Sequence, residues 1–239
     1  MKNDLAIKKC KWNAIFNLKP SRIIVAKVNS LPDVKLRTDS DGTTFITSIE
    51  ITTPELSFLD AIKHSEEKAN RCADIISFIT GLPVSCTLRQ INEIGPAGTV
   101  RTGAVPFTGG ADLACMPQEV DLTAPRIYDV LYNKNKKLAR QLSHYRRGIS
   151  SSDVIQKIRE FYQVVEDEYS KHHPFIEKYK YVRILLSHPE MDRERSKAEA
   201  KKIVGKEYFD PSSPQDMTAL EIHLKQIKDE AERIIKSKI

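Results

Sequence analysis

The chain has 239 residues, enough for one large domain or two small ones, each able to bury a core. With 40% hydrophobic and 29% charged residues it has the composition of an ordinary globular protein, and no apolar run approaches the length needed to span a bilayer. The opening MKNDLAIKKCKW offers no apolar stretch for a signal peptide, so a cytoplasmic protein with no membrane partner is expected. The net charge of +6, from 38 basic and 32 acidic residues, is compatible with an RNA or phosphate partner without implying one. Cys10, Cys72, Cys86 and Cys115 are far apart and lack metal-ligand spacing, so reduced thiols are expected, with no structural zinc, no other metal and no cofactor.

From Lys11 to Ile51 the pattern is strand-like, in the runs WNAIFNL, RIIVAKV, VKLRT and TTFITSIEI. Asp41-Gly42 between two extended runs signals a hairpin. Phe45, Ile49 and Ile51 alternate with Thr44, Ser48 and Glu50, which describes a sheet with one wet face, and Ile46 and Thr47 break that alternation. Thr53-Pro54-Glu55 then reads as a helix start, with Thr53 as the cap. Leu59, Ile62, Ala69, Cys72, Ala73, Ile76 and Ile79 form the expected buried stripe, ended by Gly81 and Pro83. VSCTLRQI returns as a last strand. Residues 1–94 therefore read as a small α+β domain.

Residues 95–118 are rich in Gly and Pro and carry few charges, so 95–124 is expected to be a loop or linker. Neither G-x-x-x-x-G-K-[ST] nor G-x-G-x-x-G occurs there, which argues for glycine turns rather than a phosphate cradle.

From about Pro125 the periodicity is helical to the end, predicting an all-α bundle of four or five helices over 125–239. One helix is expected from about Arg126 to Arg146. A second runs from Ser152 or Asp153 to about Tyr169, with Ile155, Ile158, Phe161, Tyr162, Val165 and Tyr169 facing inward. His172-His173-Pro174 breaks it, the two histidines serving as capping or surface residues. A third helix from Phe175 carries YVRILLSHPE, and the last runs from about Gln215 to Lys236 with His223 beside its apolar stripe.

Within YVRILLSHPE, Arg183 and His188 stand at R-x4-H spacing around apolar residues, and Pro189 ends the helix just after the histidine. The imidazole then sits at a helix C-terminus, where the carbonyls favour its protonated form. On an ideal helix the two side chains are roughly 140° apart, so they need not meet within one chain and can meet across a two-fold axis. His144 and Arg140 are one residue too close to match this spacing.

The long helices, LSHYRRGISSSDVIQKIREFYQVVEDEY, RILLSHPE and the downstream FDPSSP resemble the HEPN superfamily, and within it the Apea-like or MauJ-like branch. The resemblance covers about half the chain, from Pro125 onward. It implies a HEPN-like helical bundle, a homodimer that brings two Arg/His pairs into one cleft, and metal-independent RNA cleavage of a toxin or phage-defence type, with an antitoxin or regulatory partner. Arg183 and His188 match the family's R-x4-6-H and would be the catalytic pair. Glu166 and Glu168, on the preceding helix, are candidates to orient them, and Tyr145, Arg146 and Arg147 are candidates to touch RNA phosphate.

The chemistry suits these residue types. Metal-free cleavage uses the ribose 2′-hydroxyl, a histidine moves protons near neutral pH, and an arginine clamps the phosphate with a two-pronged fork. A two-fold dimer supplies the second histidine needed for separate acid and base roles. Active members commonly carry a polar residue where this chain has Ile184. That position favours the alternative, a catalytically silent HEPN module binding RNA, a nucleotide or a partner protein.

Overall fold

The computed structural model describes residues 9–21, 23–27, 34–40, 44–95, 100–104, 120–121, 129–132, 134–187 and 194–239, and divides into two compact units, Met1–Lys134 and Asn135–Ile239. The first is α+β and the second helical, as the patterning predicts.

The first unit is built on strands β1 (Lys11–Lys19), β2 (Ile23–Lys27), β3 (Val34–Ser40), β4 (Thr44–Thr52), β5 (Ser85–Ile94), β6 (Val100–Ala104) and β7 (Val120–Asp121), with helix α1 (Phe58–Thr80) between β4 and β5. Strand β4 is its spine. Along one edge it pairs first with β1 at Ser48–Thr52 and then with β2 at Phe45–Ile46, so β1 and β2 act as one strand interrupted around Pro20. β3 pairs antiparallel with β4 over Thr44–Ile51, and β5 and β6 extend the sheet beyond β1. The Asp41-Gly42 turn lies outside the described residues, but the hairpin it should make is present, with Ser40 opposite Thr44.

The break in the β4 alternation has a structural cause. The β3–β4 register moves from Arg37 opposite Ser48 to Thr38 opposite Ile46, which leaves Thr47 as a bulge and flips the faces on either side of it. Ile46, Ile49 and Ile51 are consequently all buried, and the Thr47 hydroxyl donates to the Arg37 carbonyl. Ala14, Phe16 and Leu18 share the apolar face of the sheet with Ile49, Ile51 and Ile91, and α1 packs on β1, β4 and β5. The opposite face is less wet than the alternation suggests, because Ser48 and Glu50 are buried too.

Helix α1 does not begin at Thr53. Residues 53–56 are not helical, with Thr53 N donating to the Trp12 carbonyl and Leu56 bridging Cys10 in both directions. The Thr53 hydroxyl accepts from Trp12 N and so is used by the sheet; Ser57 caps the helix through Asp60 N instead. Ala61, Ser65, Ala69, Cys72, Ala73 and Ile76 are covered, whereas Leu59 is 75% exposed. Gly81, at φ 66°, ends the helix as expected. Burial pushes the Cys72 thiol up to about 12; Cys10 and Cys86 are partly exposed thiols, and Cys115 lies outside the described residues.

Among the described residues two strands fall in 95–124, the stretch expected to connect. β6 pairs with β5, so VSCTLRQI is not the last strand, and β7 runs parallel to β2. Low charge and frequent glycine hid them, since both strands are short and lack a clean alternation.

The second unit holds, among the described residues, helices α2 (Lys136–Ser150), α3 (Val154–Glu168), α4 (Pro174–Ser187), α5 (Glu194–Val204) and α6 (Pro214–Lys236). The helix expected from Arg126 to Arg146 is divided: a helical turn at 129–131 stops, and Asn135 restarts the chain by capping Leu138 N. Asp153 and Ser213 cap α3 and α6. Helix α3 is central, packing on α2, α4 and α6, and its Ile158, Phe161, Tyr162, Val164 and Val165 are buried. Ile155 and Tyr169, expected inside, are only partly covered. Helix α5, whose high charge gave no apolar stripe, inserts Ala200 into the core.

Candidate functional site

Arg183 lies on α4, exposed, and its guanidinium is fixed from two sides by α3. Nη1 donates to Glu166 Oε1 at 2.8 Å, and the planar group lies 5.8 Å from the centre of the Tyr162 ring. Tyr162 is buried and bonds the Ile176 carbonyl, so the platform under the arginine is rigid. Burial pushes the Tyr162 phenol up to about 12, with Glu166 adding to it, and the ring stays neutral. Burial also raises the Glu166 carboxyl above the usual range, against the downward pull of Arg183. One turn beyond Arg183, Arg159 of α3 donates to the Leu186 carbonyl and ties down the last turn of α4. His188 lies outside the described residues, which resume at Glu194.

Of the two glutamates expected to orient the pair, Glu166 reaches Arg183 and Glu168 does not. Glu168 is turned to the other side of α3, where Lys137, Lys238 and Gln141 surround it. Burial there opposes ionisation, yet those hydrogen bonds prevail and hold its carboxyl down at about 2. It joins α2, α3 and the C-terminal end of α6.

Tyr145 is not a surface residue. Its ring is buried against Phe161 and its hydroxyl donates to Glu232 at 2.8 Å; burial, strengthened by that carboxylate, holds the phenol well above its ordinary value. Arg146 is partly covered, whereas Arg147 is exposed. Arg147 Nε lies 3.2 Å from Glu160 Oε2, the same oxygen that His144 Nδ1 approaches at 2.8 Å, and Gln156 donates to the other oxygen. Arg147 Nη2 is also 2.8 Å from His144 Nδ1, which can donate to Glu160 or accept from Arg147 but not both.

Arg147 was expected at RNA phosphate, but its partners Glu160 and His144 and the neighbouring Arg140–Asp167 pair, Nε to Oδ2 at 2.6 Å, were not anticipated from the sequence. The signal was a matched period: Arg140 and Arg147 are seven residues apart on α2, and Glu160 and Asp167 seven apart on α3. His173 takes the capping role expected of it, its Nδ1 accepting from Phe175 N while the ring stacks on Tyr169 at 3.7 Å. His223 is half-buried, and burial lowers its pKa. Among the described residues no three His, Cys, Asp or Glu gather as they would to hold a metal ion, and no helix is long and apolar enough to cross a membrane.

No protein-family model, curated protein or solved structure matches this chain.

Proposed function

We propose that this chain is a metal-independent endoribonuclease of the HEPN type, acting as a homodimer, with Arg183 and His188 as its catalytic pair. The observation that carries the reading is the setting of Arg183: a half-exposed guanidinium on α4, aimed by Glu166 and the Tyr162 ring, with donors left over for a phosphate. The helical unit in which it sits and the R-x4-H spacing agree with the resemblance drawn above.

In the proposed reaction the ribose 2′-hydroxyl loses its proton as its oxygen bonds to phosphorus. The bond from phosphorus to the 5′-oxygen breaks, and that oxygen takes up a proton. Arg183 holds the phosphate and stabilises the added negative charge, and His188 moves a proton. The products are a 2′,3′-cyclic phosphate and a 5′-hydroxyl. A DNA strand carrying a single ribonucleotide is expected to be cut only directly 3′ of that residue, as read on a sequencing gel. Cutting of the all-DNA strand would contradict the reading.

Ile184 supports a second reading, in which the same arginine binds RNA, a nucleotide or a partner protein without cleavage. Binding of RNA with no cut strand under any condition would favour it.

A further inference from the structure

We propose that the solvent-facing strip of α3, between α2 and α4, is a track for the sugar-phosphate backbone of single-stranded RNA, gripped by Arg140, Arg147, Arg159 and Arg183. This rests on the RNA-directed reading above and adds Arg140 and Arg159 to the residues already considered for RNA.

The track follows from two rows on α3. Glu160 and Asp167 are seven residues apart, so on a helix they lie within about 20° of each other and roughly 10 Å apart along the axis. They form a row facing α2, where Glu160 holds Arg147 and Asp167 holds Arg140. Arg159 and Glu166, also seven apart, form a second row about 100° away that faces α4. Arg159 bonds the Leu186 carbonyl and Glu166 holds Arg183. Gln156 and Gln163, both partly exposed, lie between the rows.

The exposures separate this from a set of ordinary surface ion pairs. The carboxylate ends are covered, at 9% for Asp167, 11% for Glu160 and 26% for Glu166, while the arginine ends are open, at 60%, 53% and 46%. Each acid therefore acts as a largely covered anchor that holds a guanidinium by one edge; Arg140 and Arg183 keep other N–H groups toward water, while Arg147, still 53% exposed, also approaches His144 through Nη2. A fixed planar fork with spare donors suits a phosphate diester. Because such contacts go to the backbone, the track would hold a strand irrespective of its sequence. The carboxylates, tied to their arginines, add little repulsion at the surface.

The test uses the full chain and a labelled 2′-O-methyl oligoribonucleotide, which offers phosphates but no 2′-hydroxyl to attack. By fluorescence anisotropy the wild type is expected to bind it with a steep salt dependence. Arg147→Gln and Arg159→Gln, measured separately and together, should weaken binding, the double variant by at least about tenfold. Each lost phosphate contact should make the slope of log K against log salt shallower by about 0.7. Arg147→Lys should keep most of the slope, which a purely interhelical role would not require. Unchanged affinity and slope in the double variant, or no binding by the wild type, would overturn the track. Binding without cleavage of natural RNA would leave the track standing and remove the ribonuclease reading.

Discussion

Arg183→Ala is expected to lower RNA cleavage by about 100- to 1000-fold, the usual loss when one preorganised donor to a developing oxyanion is removed. The protein should stay folded. The side chain is exposed and its pair with Glu166 is partly in solvent, where such pairs contribute about 1 kcal/mol or less. Glu166 loses the partner that lowers its pKa, and burial then makes its carboxyl easier still to protonate, so no uncompensated charge need remain near Tyr162. Arg183→Lys should fall between the two, since it restores the charge without the planar fork. Initial rates on a labelled RNA, with helical content checked by circular dichroism, make the comparison. An alanine variant as active as the wild type would take Arg183 out of the mechanism.

The largest effect on stability is expected where α2 crosses α3. A Cβ on Gly148 would stand 2.7 and 2.8 Å from two atoms of the Phe161 ring, and that ring is buried against Tyr145. Phe161→Ala should destabilise the protein by about 3–5 kcal/mol, as for other buried aromatics. Gly148→Ala should also destabilise, because overpacking of about 1–3 kcal/mol exceeds the 0.5–1 kcal/mol that alanine gains in a helix. In the Phe161→Ala background the sign should reverse, with Gly148→Ala stabilising by about 0.5–1 kcal/mol, since only the helix preference is left. Urea unfolding of the four proteins reads the cycle. A destabilising Gly148→Ala in both backgrounds would show that the glycine is required for some reason other than this ring.

Sequence pattern alone gave the order and type of most elements, since strands β1 to β4 and helices α3, α4 and α6 are long enough to show their period. What it missed depends on partners far away in the chain. Thr53 reads as a helix cap until Trp12 N–H takes its hydroxyl, and Leu59 reads as core although it lies in the exposed first turn of α1. Ile46 and Thr47 were visible as exceptions, but only the pairing with β3 turns them into a bulge. Arg183 and Glu166 could be named from their places on successive helices. The same reasoning put Tyr145 on the surface, because its helix is polar around it and nothing local shows that Phe161 and Glu232 enclose it. The arginines anchored along α3 depend on the α2–α3 register, which periodicity does not fix.

The most direct test of the account is the chemistry of the cut ends. The protein, beside His188→Ala, is incubated with mixed-sequence single-stranded RNA in excess EDTA, and the 3′ ends are identified by mass spectrometry. Cyclic-phosphate ends that disappear in His188→Ala are the predicted result, tying a metal-free 2′-hydroxyl attack to that residue. Cleavage that EDTA abolishes, or that leaves 3′-hydroxyl ends, would contradict it.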